Sequence, residues 1–207
     1  MQAITLMVTK VVVTCTKANC LTHGGQESQA NRGCLATGIG SSIIGLMTFP
    51  APYREFSSRV RPEWIDYNGH MNVAYYVAAF DEATDAFYEA LGIGLSYKNA
   101  SDCSTFTLEG HITYDQEVME GDELKFTTYL LDCDAKRIHY IHEMYHAEKG
   151  YLAATNELIG IHIDMNERRS KAMPDDMQAR LQAVLNLHKP LEKPHQVGRV
   201  IGIRRKG

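Results

Sequence analysis

Residues 66–92 read DYNGHMNVAYYVAAFDEATDAFYEALG, and this stretch decides the architecture. Asp66-Tyr67-Asn68-Gly69 carries tight-turn chemistry and Asn72 is a favoured N-cap, so a helix is expected from Val73. At 100° per residue, Val73, Tyr76, Val77, Phe80, Thr84, Phe87, Tyr88 and Leu91 fall in one apolar arc, with Asp81, Glu82, Asp85 and Glu89 to one side. Gly92 supplies the C-terminal stop. Ala79, Ala83, Ala86 and Ala90 form a separate small-residue stripe beside the arc, which predicts close approach of a sheet or a partner subunit.

Outward from this helix the pattern has period two. Ser57 to Ile65 reads as a strand. Downstream, Phe106, Leu108, Ile112 and Tyr114 alternate with Thr105, Thr107, Glu109, His111 and Thr113, and further strands are expected at about 122–132, 136–147 and 151–164. Glu120-Gly121-Asp122, Asp132-Cys133-Asp134 and Lys149-Gly150 punctuate them, which predicts an antiparallel meander. A short helix opens at Met173-Pro174-Asp175-Asp176 and runs to about Leu187, before a Pro-containing tail. One long amphipathic helix among alternating strands is the pattern of an α+β domain whose sheet covers the helix.

The 207 residues suit one domain plus extras, and 44% hydrophobic with 22% charged residues is ordinary for a globular chain. A net charge of −4 provides no basic footprint for nucleic acid, and no apolar run is long enough to span a membrane. Cys15, Cys20, Cys34, Cys103 and Cys133 are odd in number and contain no C-x-x-C pair, so a reducing, cytoplasmic setting is expected. Residues 1–52 hold Lys10, Lys17 and Arg32 against the single acid Glu27 and show no sustained periodicity. They read as a poorly ordered extension, first as a non-native start upstream of Met47, otherwise as a tail or a targeting peptide, with the single domain at 53–207. GIGSSIIG within it fails the serine-hydrolase elbow pattern, because Ile44 replaces the last glycine.

Three constellations bear chemistry. His142-Glu143-x-x-His146 matches H-E-x-x-H, which needs a helix to bring both imidazoles to one zinc. Its surroundings read as a hairpin arm, where residues four apart are separated by about 13 Å, so a zinc hydrolase stands only as an alternative. Glu109 and His111 lie two apart on the polar face of a strand, where they either share a ligand or merely face solvent. Asp66 sits on a tight turn just before a long helix whose unpaired N–H groups favour an oxyanion. That is acyl-transfer geometry, or else simply an Asx-turn followed by a cap.

Residues from about 57 to 170 resemble the hot-dog fold acyl-CoA thioesterases of the 4-hydroxybenzoyl-CoA thioesterase type. The resemblance rests on Arg61 to Trp64 leading into Asp66-x-x-Gly69-His70-Met71-Asn72, on Tyr76, on Ile112-Thr113-Tyr114 and on Gly121-Asp122. It implies a sheet wrapped around the long helix, hydrolysis of an acyl-CoA without cofactor or metal, and assembly as a homodimer or homotetramer. Asp66 is then the nucleophile or general base, and the backbone N–H near Val73 polarises the thioester carbonyl. His70 and Asn72 are expected to orient the turn or a water, with Gly69 among the substrate-binding residues and Glu109 or His111 reaching the site from this chain or a second subunit. Many relatives have a second acid where this chain has Trp64. The string EWIDYNGHM (63–71) also resembles betainyl-CoA thioesterases, although Val73-Ala74-Tyr75-Tyr76 departs from them. Trp64 with Tyr67 and Tyr75 would then box a quaternary ammonium, or line a plain acyl chain. Arg199, Arg204, Arg205 and Lys206 are the bases offered to CoA phosphates, and a noncatalytic acyl-CoA-binding module is the alternative from a different class.

Overall fold

The computed structural model describes residues 49–203; the expectations for residues 1–48 and for Arg204, Arg205 and Lys206 lie outside them. The elements run β1 (Ser57–Arg59), a 3-10 turn (Pro62–Trp64), α1 (Val73–Leu91), α2 (Leu95–Ser101), β2 (Cys103–Tyr114), β3 (Glu123–Cys133), β4 (Arg137–His146), β5 (Leu152–Asp164), β6 (Arg169–Ser170) and α3 (Asp175–His188). Asn72 caps α1, accepting from Ala74 N–H at 2.9 Å, and Gly92 ends it at φ 75°, a left-handed conformation that favours glycine.

The strands form one antiparallel sheet in the order β1-β3-β4-β5-β2, with β6 on the end of β5. The expected simple meander is therefore corrected. β3, β4 and β5 are consecutive neighbours, but β2 crosses over to pair with β5, Cys103 opposite Asp164 through Tyr114 opposite Ala154. The β2–β3 connection is held there because Asp115 and Gln116 N–H both donate to Ala153 C=O, at 2.8 and 3.1 Å. The first strand is also shorter than expected, since Pro62 has no N–H to continue a ladder and the chain turns at Pro62–Trp64. Helix α2 was not legible because none of its seven residues is buried. A bulge between Thr107 and Glu109 leaves Leu108, one of the apolar residues in the expected alternation, 54% exposed.

α1 lies against one face of the sheet. Tyr88 OH donates to Tyr140 OH at 3.0 Å, and Phe80 meets Phe126 edge-on at 5.9 Å between centroids. The buried stripe is rotated toward the alanines: Ala79 and Ala83 are buried beside Met144, Ala153 and Ala154, while Val73 and Val77 face outward. Small residues on both sides permit this approach. Gly160 on β5 is part of it, since a Cβ there would stand 2.5 Å from Tyr88 Oη. A second cluster, with Leu91, Ile93, Leu130, Ile138, Met177, Leu181 and Val184, joins α3 to the far end. His188 fastens it by accepting from Leu130 N–H at 2.9 Å and meeting Pro50 C=O at 3.1 Å.

The His142-to-His146 string lies on β4, where the strand spacing keeps its histidines apart, and this corrects the zinc alternative. His142 points at the helix with both ring nitrogens engaged, Nε2 2.9 Å from Thr84 Oγ1 and Nδ1 2.7 Å from Thr128 Oγ1. His146 Nδ1 accepts from the N–H groups of Glu148 and Lys149 at 3.3 and 3.2 Å. With both of its nitrogens taken, the His142 ring has none left for a metal shared with His146. Among the described residues no group of three or more His, Cys, Asp or Glu is placed to hold a metal ion, and no helix is long and apolar enough to cross a membrane.

Burial pushes the His142 imidazole down to about 3 from its ordinary 6.5. The unfolded chain therefore binds one more proton than the folded chain between those values, and stability rises with pH across that window. Acidification from pH 6.5 toward 3 is expected to remove up to about 1.4 kcal/mol per pH unit through this group. Denaturant unfolding at a series of pH values checks it: His142→Gln should show a pH slope shallower by about one proton, and an unchanged slope contradicts the assignment.

Candidate active site

The turn before α1 is a closed hairpin in miniature. Gly69 N–H donates to Asp66 C=O at 3.0 Å, Asp66 N–H to His70 C=O at 3.1 Å, and Asn72 N–H to Trp64 C=O at 2.9 Å. Gly69 takes φ 84°, which a residue with a Cβ rarely adopts. The Asp66 carboxylate is shaped from within the turn: Oδ1 accepts from Asn68 N–H at 2.8 Å, and Oδ2 lies 3.5 Å from Asn72 Nδ2. Asn72 thus touches the carboxylate with one side-chain atom and caps the helix with the other. Tyr75 N–H is satisfied by Asn72 C=O at 2.9 Å, leaving Val73 N–H without a partner among the described residues.

These groups open on a cleft of about 500 Å³ lined by Asp66, Tyr67, His70, Met71, Asn72 and Val73 from the turn and helix start, by Tyr76, and by Tyr114 through Glu117 from the end of β2. Met71 N–H donates to Val118 C=O at 2.9 Å, which locks the two walls together. His70 lies half-buried with Nδ1 3.3 Å from Met71 C=O. The Tyr76 phenol is pushed up to about 12, chiefly by burial and against a hydrogen bond from the Val118 backbone, so it stays protonated at neutral pH. A carboxylate and a free helix-start N–H on one cleft can supply, respectively, an attacking oxygen and a donor to a carbonyl oxygen.

Of the residues singled out in the sequence, Asp66, Tyr67, His70, Asn72 and Val73 share this cleft. Gly69, expected to bind substrate, shapes the turn at φ 84° without lining the cleft. Trp64 and Tyr75 lie elsewhere: Trp64 is only 3% exposed, its ring stacked on Tyr75 at 5.8 Å and carrying the Arg61 guanidinium at 4.5 Å. Glu109 and His111 are on β2, outside the cleft. Ile112 pairs with Asn156, which pairs with His142 beneath α1, so Ile112 faces the helix and His111 faces away from it. Arg199 stands exposed in the tail. Missed from the sequence were Asp115, Gln116 and Glu117, whose signal was only that two acids directly follow an apolar strand end. In the sequence Tyr76 and Tyr114 read as parts of a helix arc, of a strand and of the family resemblance, not as site residues.

Residues 60–181 match the model of the thioesterase-like superfamily. A betainyl-CoA thioesterase of Pseudomonas aeruginosa is 38% identical over 148 residues, covering 72% of this chain and 93% of that protein. An L-carnitine dehydrogenase/betainyl-CoA thioesterase of Rhizobium meliloti is 33% identical over 154 residues, 74% of this chain but 31% of that longer protein. A Staphylococcus aureus protein solved in complex with CoA superposes with a TM-score of 0.68 at 30% identity, over 75% of this chain and 98% of that one. The wrapped helix, the sheet order and these similarities agree: the chain belongs to the thioesterase-like superfamily and is a thioester hydrolase of the hot-dog fold.

Proposed function

We propose that the chain hydrolyses an acyl-CoA thioester to the free acid and CoA at the Asp66 cleft. The observation that carries this reading is the placement of the Asp66 carboxylate and the unpartnered Val73 N–H on one cleft at the start of a 19-residue helix. The carbonyl oxygen docks on Val73 N–H, where the helix dipole favours the developing negative charge. Asp66 delivers the attacking oxygen, either its own, giving an anhydride that water then opens, or that of a water from which it takes the proton. The C–S bond breaks and the CoA thiolate leaves, to be protonated from solvent. Asn72 positions the carboxylate against the helix start, and His70 orients the turn. The names of the Pseudomonas and Rhizobium relatives support betainyl-CoA as the first thioester to supply.

Asp66→Asn keeps the size of the side chain and removes the base. It should lower kcat by about 10²–10⁴-fold in a free-thiol assay with acyl-CoA. Activity retained at the wild-type level would remove Asp66 from the chemistry, and acyl-CoA binding without turnover by the wild type would point to the binding module.

The same reading includes a homodimer. β2 lies at the edge of the sheet, 12 residues long, with Leu108 and Tyr114 about half exposed, and such an edge invites pairing with another chain. Pairing along it with a second copy would bring Glu109 and His111 to the seam, which supports their role as contributions to an assembled site. Sedimentation equilibrium should return twice, or for a tetramer four times, the chain mass of 23.2 kDa; a monomer at micromolar concentration contradicts this.

A further inference from the structure

We propose that the cleft selects acyl groups carrying a fixed positive charge, and that Asp115 and Glu117, with the corner formed by Tyr76 and Tyr114, make the selection. This rests on the hydrolase reading above and names the specificity residues of the same site. The lining contains three carboxylates, Asp66, Asp115 and Glu117, and neither lysine nor arginine. An anionic acyl group would meet repulsion there, and a neutral one would gain nothing from the charges.

The acidic wall is held in place. Asp115 Oδ2 accepts from Thr113 Oγ1 at 3.2 Å, Asp115 and Gln116 N–H are tied to Ala153, and Tyr151 OH donates to Glu117 C=O at 2.8 Å. Beside it the rings of Tyr76 and Tyr114 stand at 86° with centroids 5.2 Å apart. A quaternary ammonium has no N–H to donate, so it is recognised by charge and by aromatic faces, and this corner offers both. The aromatic pair expected from the sequence, Trp64 with Tyr75, is unsuited to that role because this chain's own Arg61 already lies over the Trp64 ring. Tyr67, the third member of that expected box, does line the cleft and is 96% exposed.

The test uses two thioesters of equal shape, trimethylglycyl-CoA (betainyl-CoA) and its carbon isostere 3,3-dimethylbutanoyl-CoA, which differ by one positive charge. Their intrinsic reactivities differ, and that difference cancels when the ratio of their kcat/KM values is compared between wild type and variant. In Asp115→Asn/Glu117→Gln the cationic-to-neutral ratio should fall about tenfold or more, and in Tyr114→Leu by a smaller factor. Should the double variant not fold, Glu117→Gln at its exposed position gives the same reading with a smaller drop. A ratio within about twofold of wild type in the folded variants overturns the proposal while leaving the hydrolase reading standing. Failure of the wild type to hydrolyse either thioester, with Asp66→Asn equally inert, overturns both.

Discussion

The structure depends on a joint at Asn72, where a tight hairpin turn runs without slack into the first turn of the long helix. One residue closes the hairpin through its N–H to Trp64, caps the helix through Oδ1 and approaches Asp66 through Nδ2. The carboxylate therefore has little freedom relative to the helix axis. Its place beside the helix start is restrained by Asn68 N–H on Oδ1 and by Asn72 Nδ2 near Oδ2. Preorganisation of this kind is what a charge-developing reaction requires of its surroundings.

That joint is useful only if the helix itself is fixed, and the sheet does this by packing small residues against it. Ala79 and Ala83 on α1 and Ala153 and Ala154 on β5 leave room for the two layers to approach, and Gly160 makes room for Tyr88. The Tyr88 hydroxyl and the His142 ring, brought inside by this approach, are matched. Tyr88 finds Tyr140, and His142 finds Thr84 and Thr128, so the buried imidazole ties helix, β3 and β4 together in its neutral form. The β2–β3 connection is fastened to β5 at Ala153 and to the turn at Met71. Both walls of the cleft are thus set by the same core.

Much of this was legible because it is local. Asn72 and Gly92 mark helix ends by backbone chemistry alone, and alternation located β2 to β5 to within a residue or two. What the sequence could not supply was non-local. The crossing of β2 to the far side of β5 depends on hydrogen bonds to Ala153, which no periodicity encodes. The bulge at Leu108 reverses the phase of a strand midway. At the site, the turn residues were readable because they adjoin in the chain. The opposite wall, Asp115 to Glu117, is some forty positions beyond and reaches the cleft only through the sheet order. Trp64 misled for a related reason, since its aromatic character was visible while the Arg61 contact that occupies its ring was not.

The most direct measurement is a crystal structure of Asp66→Asn with an intact acyl-CoA thioester bound. The account predicts the thioester carbonyl oxygen about 3 Å from Val73 N, within hydrogen-bond reach, with the carbonyl carbon facing the side chain at position 66. An acyl group bound away from this cleft, or a carbonyl oxygen turned from the helix start, would contradict it.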